Sequence, residues 1–222
     1  MAQQQESEKK AAAEAALKYI EDGMKVGLGS GTTSGYFIEA LAKSKKDVVC
    51  VASGGDTEKK AKALKLKVIP FQQAQELDVY VDGADEADKK FNLIKGGGGC
   101  LTREKVLASA SYQFICIIDS SKQVPKIGAY PLPIEVISFA KEYVTRELTE
   151  LEAEVTERKG YTTDNGNIIL DVKNLDFADP LQLETELNNI PGVLENGIFS
   201  VRQPDIILIA KGKVVETLNN KG

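Results

Sequence analysis

The stretch Met24-Lys-Val-Gly27-Leu28-Gly29-Ser30-Gly31-Thr32-Thr33-Ser34-Gly-Tyr-Phe37-Ile38-Glu-Ala-Leu41 changes its periodicity halfway along. Met24 to Leu28 reads as a short strand, and Thr32 to Lys43 as a helix with Phe37, Ile38 and Leu41 on its apolar face. A strand fed through glycines into a helix is the unit from which parallel sheets are assembled. Upstream, residues 6–22 carry alanines, Leu17 and Ile20 at helical spacing, and Gly23 suits a C-terminal stop. Downstream, the same reading gives a strand at Val48–Ala52, a helix at Thr57–Leu64 and a strand at Lys67–Pro70. A buried strand at Val79–Val81, a helix at Thr102–Ala110 and an apolar strand at Phe114–Asp119 continue the alternation. The prediction is an α/β fold: a doubly wound, mostly parallel sheet covered by helices on both faces.

Past about residue 125 the character changes. Pro125, Pro131 and Pro133 interrupt the pattern and suggest a boundary or crossover. A helix at Ser138–Leu148 and a strand at Ala153–Arg158 follow. Asp164-Asn165-Gly166 carries a type I′ hairpin signal, with Asn167–Val172 as the returning strand. A helix at Pro180–Asn188 and a strand at Gly192–Phe199 complete what reads as a small α+β domain. Asp205–Ala210 is apolar again and is expected to rejoin the first sheet. The division predicted is residues 1–129 plus 205–222 in a larger domain and 130–204 in a smaller one.

Composition narrows the function classes. The 222 residues are 42% hydrophobic and 27% charged, ordinary for a soluble globular protein. A net charge of −5 leaves no basic footprint for nucleic acid or an anionic membrane surface, so neither partner is expected. The first ten residues hold no apolar stretch that could act as a signal peptide, and the apolar runs are too short to span a bilayer. Cys50, Cys100 and Cys116 are odd in number, widely spaced and set among apolar neighbours; they read as reduced thiols of a cytoplasmic protein. The chain has no histidine. Proton transfer must therefore fall to carboxylates, lysine, tyrosine or cysteine.

Four motifs concentrate such groups. In Gly27–Ser34 the glycines permit a tight turn and close approach to a ligand, and the helix start offers N–H groups and the positive end of a dipole. Ser30, Thr32, Thr33 and Ser34 add hydroxyls suited to phosphate; an ordinary helix N-cap accounts for the same residues. Neither a Walker loop nor a dinucleotide fingerprint matches, because no Gly-Lys-Ser/Thr follows and Gly35 falls one place late. Asp82-Gly83-Ala84-Asp85-Glu86 stands at the carboxyl end of a strand, where ligands of open α/β sheets collect. A solvated acidic turn, or Mg²⁺ ligation by Asp-x-x-Asp, would use the same residues. Lys95-Gly96-Gly97-Gly98-Gly99 fits a nest of N–H groups that receives an oxyanion beside a cation, with a flexible linker as the alternative. Thr102-Arg103-Glu104-Lys105 reads as an ordinary N-capped first turn, with Thr102 as the cap, and Glu104 gains interest only from its company. Lys122, in Asp119-Ser-Ser-Lys122, reads either as a surface lysine or as a further charge around a phosphate.

In their order and spacing these motifs resemble the ribose-5-phosphate isomerase A family. The resemblance rests on Gly27–Thr33, Val81–Glu86, Ile94–Gly99 and Leu101–Lys105, and on Phe114–Lys122, Pro131–Val136, Thr163–Asn167 and Ile190–Val193. It extends from about Ala12 to Ala210. It implies a Rossmann-like catalytic domain and reversible conversion of D-ribose 5-phosphate to D-ribulose 5-phosphate in the non-oxidative pentose phosphate pathway, without metal or organic cofactor. By motif, Glu104 is similar to the family's catalytic base, and Asp82, Asp85 and Lys95 to its other catalytic residues. Substrate contacts fall on Ser30, Gly31, Thr32 and Thr33, on Asp82, Gly83, Ala84 and Asp85, on Lys95, Gly96, Gly97 and Gly98, and on Lys122. The family's usual Thr-Gly-Ser-Thr is Ser30-Gly31-Thr32-Thr33 here, which keeps a hydroxyl at each non-glycine place. A homodimer or homotetramer is implied as well.

On this reading Asp82 with Asp85 opens the sugar ring, Glu104 moves a proton between C2 and C1, and Lys95 with the amides of Gly96 to Gly99 stabilises the oxyanion. Two other readings compete. An amino-sugar-phosphate isomerase or deaminase commonly relies on histidine, which is absent. A non-catalytic sugar-phosphate sensor is disfavoured because Asp82, Asp85, Lys95 and Glu104 are all retained and no basic helix-turn-helix precedes the domain.

Overall fold

A computed structural model describes residues 2–220. The chain begins with α1 (Ala2–Ala16), which ends in a 3₁₀ turn at Leu17–Tyr19. Then come β1 (Lys25–Leu28), α2 (Gly31–Ser44), β2 (Val49–Ala52), α3 (Gly55–Ala63), β3 (Lys67–Val68), α4 (Phe71–Ala74) and β4 (Leu77–Asp82). Two short strands follow, β5 (Glu86–Ala87) and β6 (Leu93–Ile94), then α5 (Leu101–Ser109) and β7 (Ser111–Asp119). The middle of the chain forms β8 (Leu132–Val136), α6 (Lys141–Glu150), β9 (Glu154–Glu157), β10 (Ile168–Lys173), α7 (Pro180–Asn188), β11 (Val193–Asn196) and β12 (Ile198–Phe199). It closes with β13 (Ile206–Lys211) and β14 (Val214–Asn219).

The described residues divide into two compact units. The first comprises the chain up to Ala84, Arg103–Gln123 and the chain from Pro204 onward; the second comprises Asp85–Thr102 and Val124–Gln203. The first unit is built on a sheet of order β14-β13-β7-β4-β1-β2-β3. All its pairings are parallel except β13 with β14. The doubly wound, mostly parallel sheet predicted from the alternation is present, and Ile206–Ala210 does return beside β7. Apolar residues run continuously through β7, from Phe114 to Ile118, because both faces of a parallel sheet are covered. Val26, Leu28, Val79, Val81, Ile115 and Ile117 form one core with Phe37, Ile38 and Leu41 of α2. Ala12, Ala13 and Ala16 let α1 lie close against the same core. Cys50 is buried there too, and burial pushes its thiol up to about 12, so it acts as a small apolar filler.

The second unit carries an antiparallel sheet of order β11-β8-β10-β9 and a small sheet β12-β6-β5. Its core gathers Ile94, Leu132, Ile134, Val136, Leu170 and Val172 with Val144 and Leu148 of α6 and Leu187 of α7. Three details depart from the sequence reading. The segment Asp85–Thr102, expected in the larger domain, counts with the second unit because β6 pairs with β12. The expected single strand Gly192–Phe199 is two, broken at Gly197, where a Cβ would lie 2.3 Å from the Lys95 carbonyl. The Asn-Gly pair does not form a type I′ hairpin: Asn165 lacks the positive φ such a turn requires, and Gly166 alone has it at 83°. A long loop joins β9 to β10 instead, closed by Gly166 N–H to Thr163 carbonyl at 2.9 Å. No helix among the described residues is long and apolar enough to cross a membrane.

Candidate active site

In the first unit, β1, β4 and β7 are parallel neighbours, so Ser30, Asp82 and Lys122 all follow from carboxyl ends of adjacent strands. Asp82 is buried and organises this end. Its Oδ1 accepts from Ser30 N–H at 3.1 Å, Ser34 Oγ at 2.8 Å and Gly83 N–H at 2.7 Å, while Tyr80 donates its hydroxyl to Oδ2 at 2.5 Å. Gly27 of β1 and Gly29 just after it make room for it. Gly27 stands opposite Tyr80, and a Cβ there would come 2.7 Å from the tyrosine ring; a Cβ on Gly29 would lie 1.9 Å from Asp82 Oδ1. These two glycines therefore admit protein side chains rather than a ligand, contrary to the sequence reading. Gly31, by contrast, has φ +83° with open space around it.

The hydroxyls of the turn divide their tasks. Ser34 is fully buried and donates to Asp82, so it is removed from the set expected to meet a phosphate. Ser30 is the N-cap of α2, yet its hydroxyl does not cap the helix; it donates to Glu104 Oε1 at 2.5 Å. Gly31 and Thr32 are exposed and Thr33 half-buried in the first turn of α2, with the helix's leading amides. Glu104 is buried, 2% exposed, in the first turn of α5. Thr102 is not the N-cap that the sequence suggested: α5 already begins at Leu101, and the Thr102 hydroxyl donates to Glu135. Lys122 closes a 3₁₀ turn after β7, held by Asp119, which accepts from Ser121 N–H at 3.0 Å.

In the second unit Asp85 and the glycine loop are joined. Asp85 Oδ2 accepts from Gly97 N–H at 2.8 Å, and Gly99 N–H closes onto the Gly96 carbonyl at 2.8 Å. Two of the four loop amides expected to face an oxyanion are thus used to shape the loop. Gly98 is the exposed glycine of the four. Lys95 is buried, with its Nζ 5.4 Å from the centre of the Phe199 ring. Arg158 reaches the loop from the end of β9: its Nη1 donates to the Gly97 carbonyl at 3.1 Å, with the Gly96 carbonyl at 3.5 Å. The same guanidinium forks onto Asp171 at 2.9 and 2.5 Å. Burial opposes the Arg158 charge most strongly, but the hydrogen bonds and charge of Asp171, with Tyr130 and Tyr161 nearby, together hold the arginine above its ordinary value. Tyr161 donates to the Gly98 carbonyl at 2.9 Å. Burial pushes the phenols of Tyr161 and Tyr130 up, which favours their neutral forms.

The acidic motif is not a solvated turn. Asp82 binds the amides of Ser30 and Gly83, Asp85 that of Gly97, and Glu86 those of Gly128 and Tyr130 at 2.6 and 2.7 Å. Each acid fastens a separate loop. No cluster of three or more acids, cysteines or histidines able to hold a metal occurs among the described residues. The sequence reading missed Arg158, Tyr161 and Glu135. Glu135 is fully buried in β8 and accepts from Thr102, Thr163, Asn165 and Asn167. Its signal was present: a lone carboxylate inside the apolar strand Leu132-Pro-Ile-Glu-Val136, with matching amides in Thr163–Asn167.

The chain matches the family model for ribose 5-phosphate isomerase A (phosphoriboisomerase A) over residues 49–213. It is 54% identical to ribose-5-phosphate isomerase A of Acidithiobacillus ferrooxidans over 210 residues, covering 94% of this chain and 96% of the relative. It is 48% identical to that of Legionella pneumophila over 208 residues, covering 93% and 96%. Among solved structures, ribose 5-phosphate isomerase A from Neisseria gonorrhoeae superposes with a TM-score of 0.95 at 38% identity, covering 97% of each chain. A D-ribose-5-phosphate isomerase solved in complex with phospho-erythronic acid gives a TM-score of 0.92 at 40% identity, covering 96% and 97%.

Proposed function

The chain belongs to the ribose 5-phosphate isomerase A family and interconverts ribose 5-phosphate and ribulose 5-phosphate, and from that premise we propose that Glu104 carries the proton between C2 and C1. The proton leaves C2 for the carboxylate, a C1–C2 double bond forms, and negative charge collects on O1 of a cis-enediolate. Return of the proton to C1, with the O2 hydroxyl proton passing to O1, leaves the ketose. The observation that carries this reading is the Ser30–Glu104 hydrogen bond: a buried carboxylate fixed by the first residue of the turn whose amides suit a phosphate.

The remaining roles follow from what each side chain already holds. Ring opening is given to Asp85 rather than shared with Asp82, because both Asp82 oxygens are occupied by donors that shape the loop. Lys95 and the Gly98 amide meet the developing oxyanion, since Gly97 and Gly99 spend theirs within the loop. Gly31, Thr32 and Thr33 hold the phosphate with Lys122, while Ser30 serves Glu104. Gly83, Ala84, Gly96 and Gly97 supply backbone around the sugar. We further propose that the enzyme acts in the cytoplasm as a homodimer or homotetramer. Phospho-erythronic acid, the compound named with the solved relative, is expected to inhibit this chain competitively. The deciding experiment is a coupled isomerase assay on ribose 5-phosphate with wild type and Glu104→Gln. Undiminished turnover in the variant would remove Glu104 from the proton path.

A further inference from the structure

We propose that Arg158, distant in sequence from Lys95–Gly99, is a positioning residue that sets the oxyanion site by fixing the peptide planes of the glycine loop. The inference rests on the reading of Lys95–Gly99 as the oxyanion site. Each trans peptide carries its carbonyl and the following N–H on opposite sides, and no cis peptide occurs among the described residues. Glycine gives its neighbours no side chain to hold these planes, so four glycines in succession leave the peptide orientations to outside contacts. Arg158 provides them. Its Nη1 stands 3.1 Å from the Gly97 carbonyl and 3.5 Å from that of Gly96.

The Gly96–Gly97 plane is gripped at both ends, by Arg158 on the carbonyl side and by Asp85 on the N–H side at 2.8 Å. In the Gly97–Gly98 plane Arg158 takes the carbonyl, which turns the Gly98 N–H to the opposite side, and Gly98 is the exposed glycine. In the Gly98–Gly99 plane the Tyr161 hydroxyl takes the carbonyl at 2.9 Å, while Gly99 N–H closes back on Gly96. A cation on a peptide carbonyl also polarises that peptide, which makes its N–H the better donor. Asp171 keeps the guanidinium in place through two parallel hydrogen bonds. Arg158 therefore raises the oxyanion site's strength without meeting the substrate.

The test compares Arg158→Met, Arg158→Lys and Tyr161→Phe by steady-state kinetics and by inhibition with phospho-erythronic acid, whose carboxylate carries charge where the enediolate develops it. Thermal melts fix an assay temperature at which each variant is folded. Arg158→Met is expected to lower kcat about 10- to 100-fold and to raise the inhibition constant by a similar factor, with KM within about twofold. Arg158→Lys, which keeps a cation at the carbonyls, should recover most of that loss, and Tyr161→Phe should lower kcat by several-fold. If Arg158→Met does not fold, Arg158→Lys and Tyr161→Phe decide the matter by the same split. Lys95→Ala separates the oxyanion site itself from its positioning by Arg158. An inhibition constant raised by Lys95→Ala but untouched by the Arg158 and Tyr161 variants overturns the positioning role and leaves the oxyanion site standing. If Lys95→Ala leaves it unchanged as well, the oxyanion reading fails and the role of Arg158 fails with it. Equal losses in Arg158→Met and Arg158→Lys would reduce the residue to its fork on Asp171.

Discussion

Ser30 Oγ donates to Glu104 Oε1 at 2.5 Å, joining the turn after β1 to the first turn of α5. A neutral donor on a carboxylate restricts its rotamers and points its other oxygen, so with Glu104 as the proposed base the hydroxyl should act on the proton-transfer step rather than on substrate affinity. Ser30→Ala is expected to lower kcat about tenfold, the scale of one hydrogen bond to a charged group, with little change in KM. Thr33→Ala should do the reverse, raising KM for the phosphorylated sugar with a smaller effect on kcat. Steady-state constants for both variants check this pair, and a raised KM in Ser30→Ala would return Ser30 to the phosphate site.

Glu104→Gln preserves shape and can still accept from Ser30, so the fold should survive it. On the proposal that Glu104 is the base, its loss should lower turnover about 10²- to 10⁴-fold. Circular dichroism and melting temperature close to wild type, measured alongside the assay, separate lost chemistry from lost structure.

Gly29→Ala places a methyl carbon 1.9 Å from Asp82 Oδ1. Asp82 has no empty direction to move in, since four donors already surround it. A cost of about 1–3 kcal/mol follows from overpacking of this kind. A melting temperature lower by several degrees, with activity reduced through displacement of Ser30, is the expected result. An unchanged melting temperature would show that the Tyr80–Asp82 cluster has slack.

Glu8 is buried on α1 and accepts from Ser120 N–H at 3.0 Å, Ser120 Oγ at 2.7 Å, Gly212 N–H at 2.9 Å and Gln4 at 3.0 Å. The Ser120 hydroxyl and these other donors hold its carboxyl well below the ordinary range, at about 2. Because the folded value lies below the unfolded one, the ionised form is the stabilising form. Its contribution is complete above about pH 4.5 and is lost as the pH falls from there toward 2. Glu8→Gln should therefore melt lower than wild type at pH 7, and the gap should narrow as the pH drops below about 4.5. A gap constant over that range would refute the assignment.

The parallel sheet was legible because the strands beside Gly27 and Asp82 are buried on both faces and leave unbroken apolar runs. The motif residues were legible because unusual types fall at strand ends, where few packing reasons account for them. What the sequence hid depends on pairing across distance. Nothing local tells that Gly197 must interrupt an extended run, since the reason is the Lys95 carbonyl approaching it. The Asn165-Gly166 signal failed because Glu135 draws Thr163, Asn165 and Asn167 inward, overriding the local turn preference. Arg158 reads as a strand end among charges, and only the folded chain shows its contacts with the Gly96 and Gly97 carbonyls.

The chain passes between the two units at Ala84, Thr102, Gln123 and Gln203. Ile198 pairs with Ile94, and Ile206 with Ile115, so each unit is closed by strands made late in synthesis. On the ribosome neither unit can finish before the other has largely emerged. An engineer seeking to split the protein would find no single cut that frees the second unit and leaves the seven-stranded sheet whole, because that sheet takes strands from both sides of it. The nascent chain's β7 edge, apolar from Phe114 to Ile118 and unpaired until β13 arrives, is where chaperone capture or aggregation should begin.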